Sequence, residues 1–472
     1  MDPIGDIAVP PVSSALHRQL SPFGVWLLAL SCLSPVFSVY GIGGDVLVHA
    51  GTGTVSLFLL GLGAVLVWGF VYAELGSAFP YAGGDYVGVG RSLGGWAGAA
   101  TLAIWLATMG PTIAFECQIA ATYAGELAHG ITPALLTFGV LVAATLVALL
   151  GVRTSTMVTG IFLAVEMVAV VTLIACGFWH PVRGPEILLA TPRALSGGVM
   201  APVAFGILMS ALVNTAYGTV GGNQAIYFGE ELRDPHRQMG KVIIAAALTG
   251  GFATALPVIA VTIGARDLPA VLASPAPFAT FVSQAIGPWA AQALSAGVAL
   301  AIFNAIIATI MMGARLLFSV ARDGLLPAAV NRPLSSVSGA SGVPRAATLV
   351  TVAFSALCCL LASHLLLAFI SGLIVYGWGL VCFAVLVGHR KGLTGGPGLW
   401  RAPLYPLAPL LGLLMAVGFA LANLADATAG RPSLIILGLV MAAAITWYHL
   451  ILKKRGWTPK TSDIIQGSVY RD

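Results

Sequence analysis

Ser38-Val39-Tyr40-Gly41-Ile42-Gly43-Gly44 lies in the middle of one long apolar run, and Tyr217-Gly218-Thr219-Val220-Gly221-Gly222-Asn223 lies in the middle of another. Each glycine inside a helix costs about 1 kcal/mol relative to alanine, so three glycines this close together should break the helix. In lipid, a broken helix is tolerated only where protein or a cavity satisfies the freed backbone groups. The two stretches therefore predict two interrupted membrane helices, although such glycines can also serve close helix packing.

The composition supports a membrane protein. Of 472 residues, 22 are Lys or Arg and 17 are Asp or Glu, which is 8%, while 58% are hydrophobic. Soluble domains carry about 25% charged residues, and disordered chains are poor in apolar residues, so both classes are excluded. The net charge of +5 comes without a basic stripe, so no nucleic-acid partner is expected. The six cysteines show no metal-ligand spacing, and we expect neither a metal nor a cofactor.

The apolar runs can be counted against the roughly 20 residues that a helix needs to cross a bilayer. This count predicts an all-α integral membrane protein with 12 transmembrane helices. The predicted spans lie near residues 22–48, 54–79, 95–124, 132–151, 157–179, 198–228, 241–264, 289–320, 346–363, 365–388, 404–424 and 433–452.

The basic residues are unevenly divided between the two faces of such a bundle. Eighteen of the 22 lie in the terminal segments, in loops after even-numbered spans or, like Arg315, close to such a loop. The other face holds four, namely Arg183, Arg193, Arg266 and Arg431. Because cytoplasmic loops carry the excess of Lys and Arg, this predicts a multi-pass protein of the cytoplasmic membrane with both termini inside the cell.

The two glycine-rich stretches fall five spans apart, in spans one and six. Interrupted helices at matching positions are typical of transporters built from inverted repeats, which bind their substrate at the interruptions. We therefore divide the chain into a cytoplasmic N-terminal segment (1–20), a first repeat of spans one to five (21–180), a second repeat of spans six to ten (195–390), spans eleven and twelve (400–453) and a cytoplasmic tail (454–472).

Several motifs resemble those of the amino acid–polyamine–organocation family of permeases, over roughly residues 20–425. The motifs are Glu74-Leu75-Gly76-Ser77-Ala78-Phe79-Pro80-Tyr81-Ala82-Gly83-Gly84-Asp85-Tyr86, Glu230-Glu231-Leu232-Arg233-Asp234-Pro235-His236-Arg237, Ala321-Arg322-Asp323-Gly324-Leu325-Leu326-Pro327 with Arg315 upstream, and Trp400-Arg401-Ala402-Pro403-Leu404-Tyr405-Pro406. The resemblance implies a leucine-transporter-type fold, with a 5+5 inverted repeat and discontinuous helices 1 and 6. It also implies secondary transport of amino acids, polyamines or related amines.

The resemblance further implies a substrate site at the two interruptions. Backbone N–H groups for a substrate carboxylate would come from Gly41, Ile42 and Gly43. Backbone carbonyls for its amino group would come from Gly218, Thr219 and Val220. The side chains expected to line or close the pocket are those of Val39, Ile113, Tyr217 and Thr309.

Three acidic residues at apparent membrane depth depart from the family pattern. Glu166 falls where many members carry a lysine, and we expect it either to carry a proton during transport or to stay protonated in a bond to a neighbouring helix. Asp45 and Glu116 join it as candidate coupling or charge-binding residues, since acids around a cavity favour a cationic ligand or protons. Asp45 is alternatively a solvated residue of the outer vestibule. We expect Glu74 to contact loop arginines, and no histidine pair to form a site.

These observations together predict a secondary active transporter, a permease that moves amino acids or related amines by alternating access with proton coupling. An obligatory amino acid or amine exchanger, or a polyamine or organocation importer, would use the same pocket and stays open. The expected partners are the substrate, protons and the lipid bilayer, and the chain is a monomer or homodimer. An enzyme would need catalytic His, Ser or metal clusters, and the closing aromatic Tyr217 argues against a passive channel.

Overall fold

A computed structural model describes residues 20–457 apart from positions 82, 129, 151–155, 230, 323, 337–342 and 404, and side-chain statements also leave out 156–159 and 322. Almost all of the predicted N-terminal segment 1–20 and most of the predicted tail 454–472 lie outside the described residues. So do Ala82, Glu230, Asp323 and Leu404 of the quoted motifs.

The described chain is mainly helical. Its α-helices are α1 (Pro22–Leu33), α2 (Gly44–Ala50), α3 (Thr54–Ala78), α4 (Asp85–Leu93), α5 (Gly95–Gly125), α6 (Pro133–Leu149), α7 (Thr156–Trp179), α8 (Phe205–Thr219), α9 (Pro235–Gly264), α10 (Leu268–Ala273), α11 (Pro277–Ala285), α12 (Pro288–Arg322), α13 (Ala328–Leu334), α14 (Arg345–Cys358), α15 (Ser363–Arg390), α16 (Leu407–Ala425) and α17 (Gly430–Trp447).

Eight helical segments of the described residues are long and apolar enough to cross a membrane, by length and composition. The first of them is the nearly continuous segment Pro22–Ala78, and the apolar helices α6 and α14 are shorter. Each of the twelve predicted spans contains a described helix. The protein is thus a helical, multi-pass membrane protein, while the count of twelve crossings stays a prediction.

The first interrupted helix breaks earlier than its glycines suggest. Helix α1 ends at Leu33, and Ser34 has left-handed backbone angles (φ 44°, ψ 88°). A single helical turn (Pro35–Phe37) follows, and Ser38–Gly43 then forms a π-helical turn that runs directly into α2. The prediction that Ser38–Gly44 breaks this helix was therefore wrong. The physical reason is Pro35, which has no N–H and disfavours the right-handed helical conformation in the residue before it.

The second interrupted helix breaks where its sequence predicts. Helix α8 ends at Thr219, Val220 is extended, and a 3-10 turn covers Gly222–Phe228. At Gly222 an added Cβ would lie 2.5 Å from the carbonyl oxygen of Ile243 on α9, so only glycine allows this approach. The interruption is thus held against a packed helix rather than left in lipid.

A small β-hairpin precedes α8 and was not expected in an all-α fold. Strands β1 (Arg193–Ser196) and β2 (Val199–Pro202) pair antiparallel across Gly197 and Gly198, both with positive φ. Two such residues suit a tight hairpin turn whose twist matches the strands. The Arg193 N–H donates to the Thr52 hydroxyl at 2.9 Å, which fixes the hairpin on the turn between α2 and α3.

The core forms where helices approach each other through small residues. Helix α9 packs against α3 and α7, and an added Cβ at Gly177 of α7 would overlap the carbonyl oxygen of Ala260 on α9. Trp68 of α3 and Trp378 of α15 are buried with ring centroids 4.8 Å apart. These contacts set the frame around the two interruptions.

Candidate functional site

The two interrupted helices touch each other inside the bundle. Ile42 in the π-helical turn packs on the end of α8 so closely that a Cβ at Gly218 would lie 2.8 Å from its Cγ2 atom. Val39 and Thr219 are completely buried, and Val220 is nearly so. The structure therefore brings together the two backbone segments at which the family resemblance implies a substrate site.

The N–H groups of the first segment are arranged differently from the expectation. In a π-helical turn an N–H pairs with the carbonyl five residues earlier, and the Gly44 N–H approaches the carbonyl oxygens of Val39 and Gly41. The N–H groups of Gly41, Ile42 and Gly43 consequently lie within a helical turn rather than at a free helix start. The helix start lies instead after the break at Ser34.

Glu166 of α7 lies at that helix start. Its Oε2 atom accepts hydrogen bonds from the Ser34 hydroxyl at 3.1 Å and from the Val36 N–H at 3.3 Å, and the residue is 1% exposed. A carboxylate is favoured at a helix N-terminus because the unpaired N–H groups carry positive partial charge. The Tyr40 hydroxyl donates to the Ala169 carbonyl at 3.1 Å, so α7 holds the segment after the break at a second point.

Glu116 of α5 lies beside two residues, Thr309 and Tyr217, that the family resemblance implies for the pocket. The Thr309 hydroxyl on α12 donates to Glu116 Oε1 at 3.0 Å. The Tyr217 hydroxyl of α8 lies near Glu116 and Thr112. Glu116 Oε2 is buried without a hydrogen-bond partner among the described residues. Ile113, one turn away on α5, is completely buried.

Asp45 belongs to a separate polar cluster. Its carboxylate lies 3.4 Å from His49 Nδ1 and accepts from the Asn214 side chain at 3.5 Å. The Ser371 hydroxyl in turn donates to Asn214 at 2.6 Å. The rings of His49 and His364 lie 6.3 Å apart, while the expectation that no histidine pair forms a site stays a prediction. This proximity could not be predicted from the sequence, because 315 residues separate the two histidines.

Near the C-terminal end of α3, Glu74 has hydrogen-bond partners that the sequence did not suggest. His389 Nδ1 lies 2.9 Å from Glu74 Oε1, and the Ala402 N–H donates to Oε2 at 2.8 Å. The expected arginine contact is thus replaced by a contact with the histidine at the end of α15. Nearby, Asp85 at the start of α4 accepts from the hydroxyls of Tyr72 at 2.8 Å and Tyr227 at 3.4 Å. Burial raises the pKa of Asp85 to about 6.

These contacts define a class of protein: a multi-pass helical membrane protein whose buried acids and hydroxyls lie beside two interrupted helices, the arrangement of a solute carrier. The amino acid permease family matches residues 23–451 of the chain. The chain therefore belongs to the amino acid permeases, within the amino acid–polyamine–organocation group.

Relatives with assigned names agree with this family. The branched-chain amino acid permease BcaP of Lactococcus lactis subsp. cremoris (strain MG1363) is 25% identical over 410 residues, covering 80% of this chain and 83% of the relative. BcaP of Bacillus subtilis (strain 168) is 24% identical over 483 residues, covering 92% and 94%. The Asc-type amino acid transporter 1 of Mus musculus is 28% identical over 293 residues, covering 60% and 54%. These names describe transporters of amino acids rather than enzymes.

Proposed function

We propose that this permease is a proton-coupled secondary active transporter of amino acids or related amines across the cytoplasmic membrane. The family and the names of the relatives support amino acid transport. The observation that carries the coupling is the Glu166 carboxylate, which caps the helix that restarts after Ser34. A buried acid that bonds the broken segment of a transporter is placed to link a proton to a movement of that segment.

The architecture that goes with this proposal has twelve spans in two inverted repeats (21–180 and 195–390), with two further spans at 400–453. The matching interruptions after Leu33 and Thr219 support the repeat. The division of Lys and Arg supports cytoplasmic termini. In this arrangement the hairpin β1–β2 lies on the outer face, and the loop around α13 lies in the cytoplasm.

Substrate binds between the interruptions in this proposal. Its amino group meets the carbonyls of Gly218, Thr219 and Val220 at the end of α8. Its carboxylate meets the N–H groups of Gly41, Ile42 and Gly43 once the π-helical turn re-pairs. The side chains of Val39, Ile113, Tyr217 and Thr309 line the pocket, and Glu116 offers its free Oε2 atom to an ammonium group or a proton.

The coupling step follows from the contacts of Glu166. As a carboxylate it accepts hydrogen bonds from Ser34 and Val36 and so holds the two parts of the first interrupted helix together. Protonation removes the negative charge that the helix start favours, and the cap weakens. Helix α1 is then free to swing relative to α2, which opens the pocket toward the cytoplasm.

The proposal is tested by uptake into proteoliposomes with a panel of labelled neutral amino acids, basic amino acids and polyamines. Wild type and the control Glu186→Gln, which changes an exposed loop acid, should both show uptake stimulated by an inward proton gradient. Glu166→Gln should lose this stimulation while still binding substrate. Uptake that ignores the gradient and requires internal substrate would instead establish an exchanger, and preferred uptake of polyamines would establish an organocation importer.

A further inference from the structure

A groove runs along α7 on the side that faces α9 and α11. It consists of two cavities that share Ala175 and Cys176. The cavity at the end of α7 has a volume of about 330 Å³ and is lined by Trp179, His180, Arg266 and Gln284. The second, about 500 Å³, continues along the helix and is lined by Met167, Val168, Val171 and Ile286.

The length of the groove matches one leaflet of a bilayer. From Met167 to His180 the helix rises by about 20 Å at 1.5 Å per residue. Half of a hydrocarbon core of about 30 Å is about 15 Å, so the apolar part spans one leaflet and the far end reaches the headgroups. Trp179, 79% exposed, lies at this end, as expected for an aromatic residue at the membrane interface.

The polarity of the groove changes along this length. Its inner part exposes the apolar side chains of Val168 and Val171. Its outer end holds the exposed Arg266 together with His180 and Gln284. The groove thus has a cationic outer end and an apolar inner part about as long as one leaflet. It complements a molecule with an anionic head and a long hydrocarbon tail.

The charge of Arg266 is available to such a molecule. No hydrogen bond or ion pair joins its guanidinium to another part of the chain that the structure describes. By contrast, Arg183 donates to the carbonyls of Thr262 and Ala265 and is occupied. The neighbouring Asp267 uses its carboxylate to accept the Ala270 N–H at 3.0 Å, at the start of α10.

We propose that this groove binds one anionic phospholipid, with its phosphate at Arg266 and His180 and one acyl chain along Met167, Val171 and Ile286. The lipid belongs to the leaflet at the end of the bundle that carries the hairpin. Because Met167 is the neighbour of Glu166, the bound lipid contacts the same helix that caps the break at Ser34.

The test measures lipid retention by native mass spectrometry on the purified full chain. The probes are dioleoyl phosphatidylglycerol, dioleoyl phosphatidylcholine and inorganic phosphate. Arg266→Gln should weaken phosphatidylglycerol binding by about fivefold, the effect of one basic residue near an anionic headgroup. Val171→Trp should block the apolar trench and lower the binding of the same lipid. The matched controls are Arg193→Gln, an exposed arginine in the hairpin, and Leu146→Trp, an exposed leucine on α6.

Three outcomes would overturn the proposal. Equal binding of both lipids in wild type would show that the headgroup charge is not recognised. Phosphatidylglycerol that binds no more tightly than inorganic phosphate, and regardless of Val171→Trp, would show a site for free anions only. Unchanged phosphatidylglycerol binding in both groove variants would place the lipid elsewhere. Unfolding midpoints in lipid-free detergent identify damaged variants, and Arg266→Lys should then retain the binding that Arg266→Gln loses.

Discussion

Glu116 is the residue whose surroundings say most about the ligand. One carboxylate oxygen is bonded to Thr309, while the other is buried without a partner among the described residues. An unpaired polar atom in the interior is costly, so a protein retains one where a ligand completes it. A cation or a proton is the chemistry that a carboxylate oxygen accepts.

Replacing this carboxylate with an amide should affect substrates with a second cationic group more than neutral amino acids. Glu116→Gln should raise the KM of polyamines and basic amino acids by about 10- to 100-fold, the loss of one hydrogen bond to a charged group. Neutral amino acids should change less, because they carry no second cationic group. Competition assays in proteoliposomes would measure both values, with Glu186→Gln as the control. An equal loss for both classes would show that Glu116 holds the pocket together rather than selecting its ligand.

At the scale of elements, the crossing of α7 and α9 depends on glycine. A methyl group at Gly177 would overlap the carbonyl oxygen of Ala260, which is backbone and has little room to move. Gly177→Ala should therefore destabilise the protein by about 1–3 kcal/mol, the cost of overpacking a close contact.

The matched control for this substitution is Gly139→Ala on α6, where an added Cβ meets nothing within 4 Å. It should leave stability unchanged or raise it by up to about 1 kcal/mol through helix propensity. Thermal unfolding in detergent compares the two variants. Equal midpoints would mean that the helices can separate slightly at this crossing without cost.

Helix α4 begins at the buried acid Asp85, and its ionisation should make the stability of the protein depend on pH. Burial raises the pKa of Asp85 from its usual 3.8 to about 6, despite the hydrogen bonds from Tyr72 and Tyr227. The folded state thus favours the protonated form, so the stability that Asp85 contributes is present below pH 3.8 and is lost as the pH rises to about 6. Relative to Asp85→Asn, the free energy of unfolding of wild type should fall by on the order of 3 kcal/mol between pH 3.8 and about 6. Above this range the difference between the two proteins should stay constant.

Unfolding midpoints of both proteins between pH 4 and pH 8 would measure this difference. Comparison with Asp85→Asn is needed because the other acids contribute equally to the pH dependence of both proteins, so their effects cancel in the difference. A wild type that gains stability relative to Asp85→Asn as the pH rises would show that the two tyrosine hydroxyls stabilise the ionised carboxylate more than burial opposes it.

The elements that follow from local chemistry were predictable. Apolar runs of membrane length became helices, and the glycines after Thr219 ended α8. The break at Ser34 was missed because glycine count was weighed above the Ser-Pro pair, although proline removes the N–H that the helix needs. The hairpin was missed although Gly197-Gly198 is a turn signal, because its strands are only four residues long.

Contacts between distant parts of the chain were not predictable in the same way. The pairs Glu116–Thr309 and Glu74–His389 are separated by 193 and 315 residues, and they form only because the bundle places α5 beside α12 and α3 beside α15. Buried acids could be recognised from their apolar surroundings in the sequence, but not which hydroxyl, histidine or N–H would meet them. The burial of Glu116 and Glu166 could thus be predicted from the sequence, and their hydrogen-bond partners could not.

At the scale of the whole molecule, the proposed orientation can be tested with two serines. Ser196 in the hairpin and Ser336 after α13 are both exposed. In intact cells, a membrane-impermeant maleimide should label Ser196→Cys and leave Ser336→Cys unlabelled until the membrane is permeabilised. The unsubstituted protein gives the background from the native cysteines. Labelling of Ser336→Cys in intact cells would show that the proposed orientation is wrong and that this loop lies outside the cell.

The hairpin also has a mechanical consequence. It joins α8 to the turn after α2 through Arg193 and Thr52, and the Asn214–Asp45 hydrogen bond joins the same two helices deeper in the bundle. Because these two hydrogen bonds lie at different depths in the bundle, they connect α2 and α8 as one rigid unit. In the proposed transport cycle we therefore expect these two helix ends to move together rather than about two independent hinges.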